Sequence, residues 1–134
     1  MEMNGLVADA SALVLAVTDR TRRGSEALSR LREATVHAPH LVDVEVGGAL
    51  RRFVLRGELG SAEADECRRV AGGLIDVRYP HHRGLCDWAW ANRNQLTFYD
   101  AQYAALAQLL GLVLVTADAR SARAPVQGVA FEVC

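Results

Sequence analysis

The hydrophobic positions of the chain come in short runs whose spacing changes from one segment to the next. Leu6 to Ala8 form an apolar run that stops at Asp9, followed by Ser11 and further apolar residues, which predicts a buried first strand and a turn of an α/β sheet. Residues 18–34, TDRTRRGSEALSRLREA, read as one polar helix with Ala27, Leu28 and Leu31 as its apolar positions. TVHAP, residues 35–39, is a short strand closed by Pro39. The next stretch, LVDVEVGGAL from Leu41 to Leu50, is ambiguous. Val42, Val44 and Val46 alternate with Asp43 and Glu45 like a half-buried strand, yet Ala49, Leu50, Phe53 and Val54 continue at helical spacing. Proline favours a helix start nearby, so a helix from about His40 to Arg56, stopped by Gly57, is preferred.

The second half repeats this alternation. Residues 61–75 predict a helix with Ser61 as N-cap, residues 74–80 a strand, and residues 81–94 a helix. TFYDAQYAALAQLLG, residues 97–111, predicts a helix capped by Thr97 and ended by Gly111. LVLVTADAR, residues 112–120, carries an apolar strand running into Thr116 and Asp118, and VAFEVC supplies a last strand. Strands alternating with helices in this way imply a mostly parallel central β-sheet flanked by helices on both faces. Sheets of that kind form their sites beyond the carboxyl ends of the strands.

Composition narrows the class. With 134 residues, 51% of them hydrophobic, the chain suits one domain with a single core. No apolar stretch reaches the roughly 18 residues that a membrane span needs, and the start lacks a basic leader, so a cytoplasmic protein with no membrane association is expected. Cys67, Cys86 and Cys134 are odd in number and widely spaced, which indicates neither a disulfide framework nor a zinc ribbon. His81 and His82 lie near Cys86 without forming a recognised metal-ligand spacing. The net charge of −1 gives no general attraction to polyanions. All 15 basic residues are arginine, and the absence of lysine removes every mechanism that needs an amine.

The acids carry the candidate chemistry. Asp9 and Asp118 each end an apolar strand, and Asp100 falls in the first turn of its helix, where the helix dipole favours negative charge. On a helix Asp43 and Glu45 lie about 200° apart. Asp43 then suits the surface, whereas Glu45 shares its face with Leu41, Gly48, Ala49 and Arg52, a surface of little bulk with one arginine that suits the border of a cleft. Four carboxylates converging at one sheet edge repel, by about 4 kcal/mol per pair at 4 Å and an effective dielectric of 20. Oxygen ligands without nearby histidine or cysteine point to Mg²⁺ or Mn²⁺, and such a cation serves phosphodiester hydrolysis. Gly47 and Gly48 weaken the helix and suggest the close approach of a neighbour.

VADAS, VEVGGALRR, LTFYDAQYAALA and LVTAD resemble, in this order and at these intervals, the four acidic motifs of PIN-domain ribonucleases. The length and the final strand resemble VapC toxins of bacterial toxin–antitoxin pairs. The resemblance covers nearly the whole chain as a single PIN domain, residues 1–134, with a PIN-like α/β fold. It implies a metal-dependent endoribonuclease in which Asp9, Glu45, Asp100 and Asp118 are the catalytic, Mg²⁺- or Mn²⁺-binding acids, with Ser11 and Thr116 supporting the first and last of them by hydrogen bonding. Where some relatives carry a further acid after the last motif, this chain has Ala119 and Arg120. The resemblance also implies a homodimer, an RNA substrate and a VapB-like antitoxin lying across the acidic cleft. Arg51, Arg52 and Arg56 suit antitoxin carboxylates or RNA phosphates; Arg20, Arg22, Arg23, Arg120 and Arg123 are weaker candidates for the RNA backbone. Trp88 and Trp90 point to different faces of their helix, one toward the core.

Two other acidic-edge folds fit poorly. A phosphoacceptor signalling domain needs a late-strand lysine, and a haloacid-type phosphatase needs that lysine and a second aspartate after Asp9, where this chain has Ser11. The alternative that remains is a PIN-fold module that binds RNA or a protein partner without cleaving it.

Overall fold

The computed structural model describes residues 4–134. Five strands form one all-parallel sheet: β1 (Gly5–Ala8), β2 (Thr35–Pro39), β3 (Val77–Tyr79), β4 (Val113–Thr116) and β5 (Phe131–Val133), in the order β3-β2-β1-β4-β5. Seven helices connect and cover them: α1 (Ala10–Thr18), α2 (Arg22–Arg32), α3 (Leu41–Leu55), α4 (Ser61–Leu74), α5 (Arg83–Ala91), α6 (Phe98–Leu110) and α7 (Ala119–Ala122). They pack in two sets, α1 to α4 with one another and α6 with α5 and the sheet. Leu6, Val7 and Ala8 are all inaccessible to solvent, so both faces of the central strand are covered.

The chain winds outward from β1 through β2 to β3, then returns to the other side of β1 for β4 and β5. The strand order therefore reverses between β1 and β4, with Leu6 to Ala8 in register with Val113 to Val115. A crevice opens beyond the carboxyl ends of two strands whose connections leave in opposite directions. Asp9 follows β1, and Asp118 lies just beyond β4.

Local chemistry explains most element boundaries. Thr97 caps α6 by accepting the Asp100 N–H, and Gly111 ends it in the left-handed conformation at φ 68°. The ambiguous stretch at Leu41 to Leu50 is helical, within a single helix that reaches Leu55.

Several boundaries differ from expectation: the strand expected over residues 74–80 is confined to β3, the helix expected over 81–94 to α5, and the short α7 follows Asp118 where no helix is expected. Residues 18–34 are not one helix, because α1 already runs from Ala10 and stops at Thr18. The Asp19 carboxylate accepts the Thr21 N–H at 2.7 Å, folding a turn that starts α2 in a new direction. Gly24 fits against that turn only because it lacks a side chain: a Cβ there would lie 2.0 Å from the Asp19 carbonyl oxygen. The cap of α4 is Gly60 rather than Ser61, which is the first helical residue. Trp88 packs against the core while Trp90 is exposed beneath the Arg93 guanidinium, as their spacing implies.

Candidate functional site

Asp9 is built into the junction of β1 and α1. Its backbone N–H donates to the Val115 carbonyl of the neighbouring strand, and its side chain caps α1 by accepting the Ala12 N–H at 3.0 Å. The Ser11 hydroxyl donates to the same carboxylate oxygen at 2.6 Å, while Ser11 Oγ accepts the Ala117 N–H at 2.9 Å and lies 3.2 Å from the Thr116 hydroxyl. Ser11 thus ties the first acid to the end of β4. Burial pushes the Asp9 carboxyl up, more than its hydrogen bonds pull it down, and the charge of Asp100 adds to the rise.

Glu45 lies on the second turn of α3, half-buried beside α6. The Tyr103 hydroxyl, buried on α6 one turn after Asp100, donates to Glu45 Oε1 at 2.5 Å. Burial, this hydrogen bond and the surrounding acids raise the phenol, so it remains a donor. Glu45 itself is raised by burial and by the charges of Asp100 and Asp9, with Tyr103 and Arg52 acting the other way. Asp100 is raised by burial first, is opposed by its Thr97 hydrogen bond, and feels Asp118. Burial thus raises all three carboxyls; the charge of Asp100 adds to the rise of Asp9 and Glu45, that of Asp9 to Glu45, and that of Asp118 to Asp100.

Asp118 joins this group from its open side. Slight burial works against its charge, but the Arg120 N–H, the Ser121 hydroxyl and the Arg120 guanidinium hold its carboxyl below the ordinary value. Thr116, fully buried, supports Asp118 through the main chain: its Oγ1 accepts the Asp118 N–H at 3.0 Å, and the carboxylate is not its partner.

The donor set is all oxygen and the acids strain one another, which suits a hard divalent cation. Among the described residues no three histidine, cysteine, aspartate or glutamate side chains are gathered tightly enough to enclose an ion by themselves. Such a cation would keep several water ligands, as Mg²⁺ does in sites of few carboxylates.

A cleft of about 890 Å³ lies between α1 and α3, and of the four acids Glu45 alone stands on its lining, beside Ser11 and Ala117. Leu41, Glu45, Gly48, Ala49 and Arg52 line it together, the helix face that spacing assigned to Glu45. The three arginines after Glu45 do not act as a group. Arg52 lines this cleft; Arg51 faces a separate depression beside α4 with Asp65 and Arg68; Arg56 is the C-cap of α3. Arg23 lines the cleft and also donates to the carbonyls of Ala117 and Cys134. Arg20 and Arg22 are paired with Glu63 and Glu26. No neighbour crowds the helix glycines: a Cβ at Gly47 would meet nothing within 4 Å, and at Gly48 only the flexible end of Arg52. The expected close approach there is absent.

Tyr103 and Tyr99, an exposed residue on the rim of the cleft, are site residues that the sequence reading passed over. The signal for Tyr103 was present. It stands three residues after Asp100, on the same face of a helix whose next turn is the small, apolar Ala104, Ala105 and Ala107 with Leu106.

Comparison with known proteins agrees with this architecture. The PIN domain family model matches residues 6–127. Ribonuclease VapC1 of Mycobacterium tuberculosis is 42% identical over 123 residues, covering 92% of each chain. Ribonuclease VapC9 of the same organism is 38% identical over 115 residues, covering 86% of this chain and 87% of that one. The crystal structure of PAE2754 from Pyrobaculum aerophilum superposes with a TM-score of 0.72 at 27% identity, covering 96% of this chain and 83% of that one. VapBC2 from Rickettsia felis shares the fold at a TM-score of 0.71 and 12% identity, with 97% and 98% of the chains covered. With the family model spanning most of its length and VapC ribonucleases related to it across nearly all of it, the chain belongs to the PIN-domain family, among the VapC proteins.

Proposed function

We propose that this protein is a metal-dependent endoribonuclease toxin, acting in the cytoplasm and restrained by a VapB-like antitoxin. The observation that carries the reading is the meeting of Asp9, Glu45 and Asp100, with Asp118 at the open side, in the crevice between β1 and β4. Burial raises the first three, and the charge of Asp100 adds to the rise of Asp9 and Glu45, so these carboxyls ionise reluctantly without a counter-charge. The names of the relatives, ribonucleases VapC1 and VapC9, point to the same chemistry.

Asp9, Glu45, Asp100 and Asp118 would hold Mg²⁺ or Mn²⁺, which when bound supplies activation of water and stabilisation of charge at a phosphodiester. The chain's own residues prepare that event. Ser11 and the Ala12 N–H fix the Asp9 carboxylate, leaving one of its oxygens outside these two bonds. Tyr103 fixes Glu45 from the buried side. Arg52, on the Glu45 face of α3, offers a guanidinium to RNA phosphate at the cleft mouth.

The antitoxin reading rests on the cleft itself. Leu15, Phe53 and Leu59 give the cleft apolar lining with Val44 exposed at its edge, and Arg52 and Arg23 stand on it beside Asp19, Glu45 and Glu58, which suits a mainly apolar partner segment that brings an acid to the arginines. A homodimer is part of the same proposal.

Cleavage of a mixed RNA pool by antitoxin-free protein tests the reading. Cleavage with Mg²⁺ or Mn²⁺ that disappears with EDTA and in Asp100→Asn is expected. Folded, metal-loaded wild type that cleaves no RNA, or cleavage that survives in Asp100→Asn, overturns it.

A further inference from the structure

Helix α3 begins without a capping side chain: His40, at the N-cap position, makes no such bond. The Leu41 N–H is one of the orphan donors of that first turn. It donates instead to Nε2 of His81, which reaches over from the segment between β3 and α5, at 3.0 Å. A backbone N–H can only donate, so Nε2 carries the lone pair and the proton of the neutral ring sits on Nδ1. Nδ1 in turn lies 2.8 Å from Oε1 of Gln102, an acceptor on α6 that is 3% exposed. The Gln102 amide then faces Cys86 Sγ at 4.0 Å, and that sulfur faces the His81 carbonyl at 3.8 Å. One obligatory donor thus sets the direction of the whole chain of contacts.

The two ends of this chain lie on the helices that carry two of the acids. Leu41 is one turn before Glu45 on α3; Gln102 is two residues after Asp100 on α6 and precedes Tyr103. Tyr103 already joins the helices at Glu45, and His81 joins them again one turn away. Repulsion between Glu45 and Asp100 tends to part α3 from α6. We propose that His81 is a positioning residue: a neutral imidazole strut between α3 and α6 that keeps Glu45 and Asp100 spaced for a divalent cation. The strut rests on the metal-dependent reading of the site. His81 touches none of the four acids and acts through the helices alone.

The test uses the purified full chain, with Mn²⁺ as probe followed by electron paramagnetic resonance, and RNA cleavage read beside it. His81→Leu removes both ring contacts; His81→Gln keeps one acceptor and one donor on a planar group. His81→Leu is expected to weaken Mn²⁺ binding by about 2–30-fold, the range for a residue that acts on a site without touching it. Cleavage at saturating Mn²⁺ should keep its KM for RNA, and His81→Gln should recover most of the Mn²⁺ affinity. Nitrogen-15 spectra of the imidazole should report the Nδ1–H tautomer at neutral pH.

Unchanged Mn²⁺ affinity in folded His81→Leu, equal losses in the Leu and Gln variants, or an Nε2–H ring overturns the strut. Should His81→Leu not fold, Gln102→Met removes the other end, and unchanged Mn²⁺ affinity there overturns it equally. Wild type that binds Mn²⁺ and cleaves RNA while every strut variant matches it sinks the strut alone. Wild type that neither binds Mn²⁺ nor cleaves, like Asp100→Asn, removes the nuclease reading and the strut with it.

Discussion

The ends of β1 and β4 are made to one local plan and put to different electrostatic use. Each strand gives way to an aspartate that caps the following helix, Asp9 for α1 and Asp118 for α7, and each aspartate accepts a backbone N–H and a serine hydroxyl. Asp9 is deep in the crevice, and burial pushes its carboxyl up; Asp118 is open, and its partners hold it down. The helices they cap differ too. The α1 helix runs nine residues into the core, whereas α7 is a single turn of four residues at the surface. A capping aspartate is thus a structural residue by default. It becomes a candidate ligand when its surroundings make its charge costly.

That contrast can be broken or sharpened. Its largest expected effect is on turnover. Asp9→Asn should lower RNA cleavage by about 10³-fold, from several kcal/mol of lost charge stabilisation, while Asp118→Asn costs about tenfold. Asp9→Asn should not destabilise the metal-free fold, since asparagine caps as well as aspartate. Equal loss of cleavage at the two positions, measured on one RNA substrate, removes the distinction.

The two serines give the next effect. Ser11→Ala, which frees the buried carboxylate, should weaken Mn²⁺ affinity by about 10–100-fold, and Ser121→Ala should leave it within about threefold. Calorimetric titration with Mn²⁺ decides between them.

The pH dependence of metal-free stability should divide the same way. The folded state holds the Asp9 proton to higher pH than the unfolded chain does. Its contribution to stability therefore falls as pH rises from the ordinary carboxylate value, about 4, through the raised one. Glu45 and Asp100 act in the same direction. Asp118 contributes stability that is present above the ordinary value and lost as pH falls through its lowered one. Melting curves in EDTA should therefore flatten on the upper side for Asp9→Asn and on the acid side for Asp118→Asn.

The smallest effect is at Arg120, exposed and 3.6 Å from Asp118. Arg120→Ala should shift unfolding in urea by no more than about 0.5 kcal/mol, as an open ion pair.

Much of this was legible in the sequence where one local rule decides the outcome. Thr97 and Gly111 bound α6 because a hydroxyl cap and a left-handed glycine act within one turn. The parallel sheet followed from alternation of apolar runs with helical spacing, and the cleft face of α3 from the angle between residues of a helix. What remained hidden depends on contacts across the fold. The break at Asp19 comes from a side chain folding back on the main chain, inside a stretch whose composition suits a helix throughout. Gly24 is required by the Asp19 carbonyl, whereas Gly47 and Gly48 face open space or a flexible side chain, and spacing does not distinguish the cases. Arg51 and Arg52 are adjacent in sequence and line different depressions, since neighbouring helix positions lie about 100° apart.

The pairing of β1 with β4 fixes when the crevice can exist as well as where. Leu6 meets Val113 across more than a hundred intervening residues, so the edge that joins Asp9 to Asp118 closes only after β4 has been made. Contacts that span so much chain are slow to form and come late in folding. During synthesis on a ribosome, the first strand, with the acid that follows it, waits for a neighbour still to be translated. An emerging chain therefore carries its acids scattered, and the crevice that gathers them is assembled only once β4 has been made.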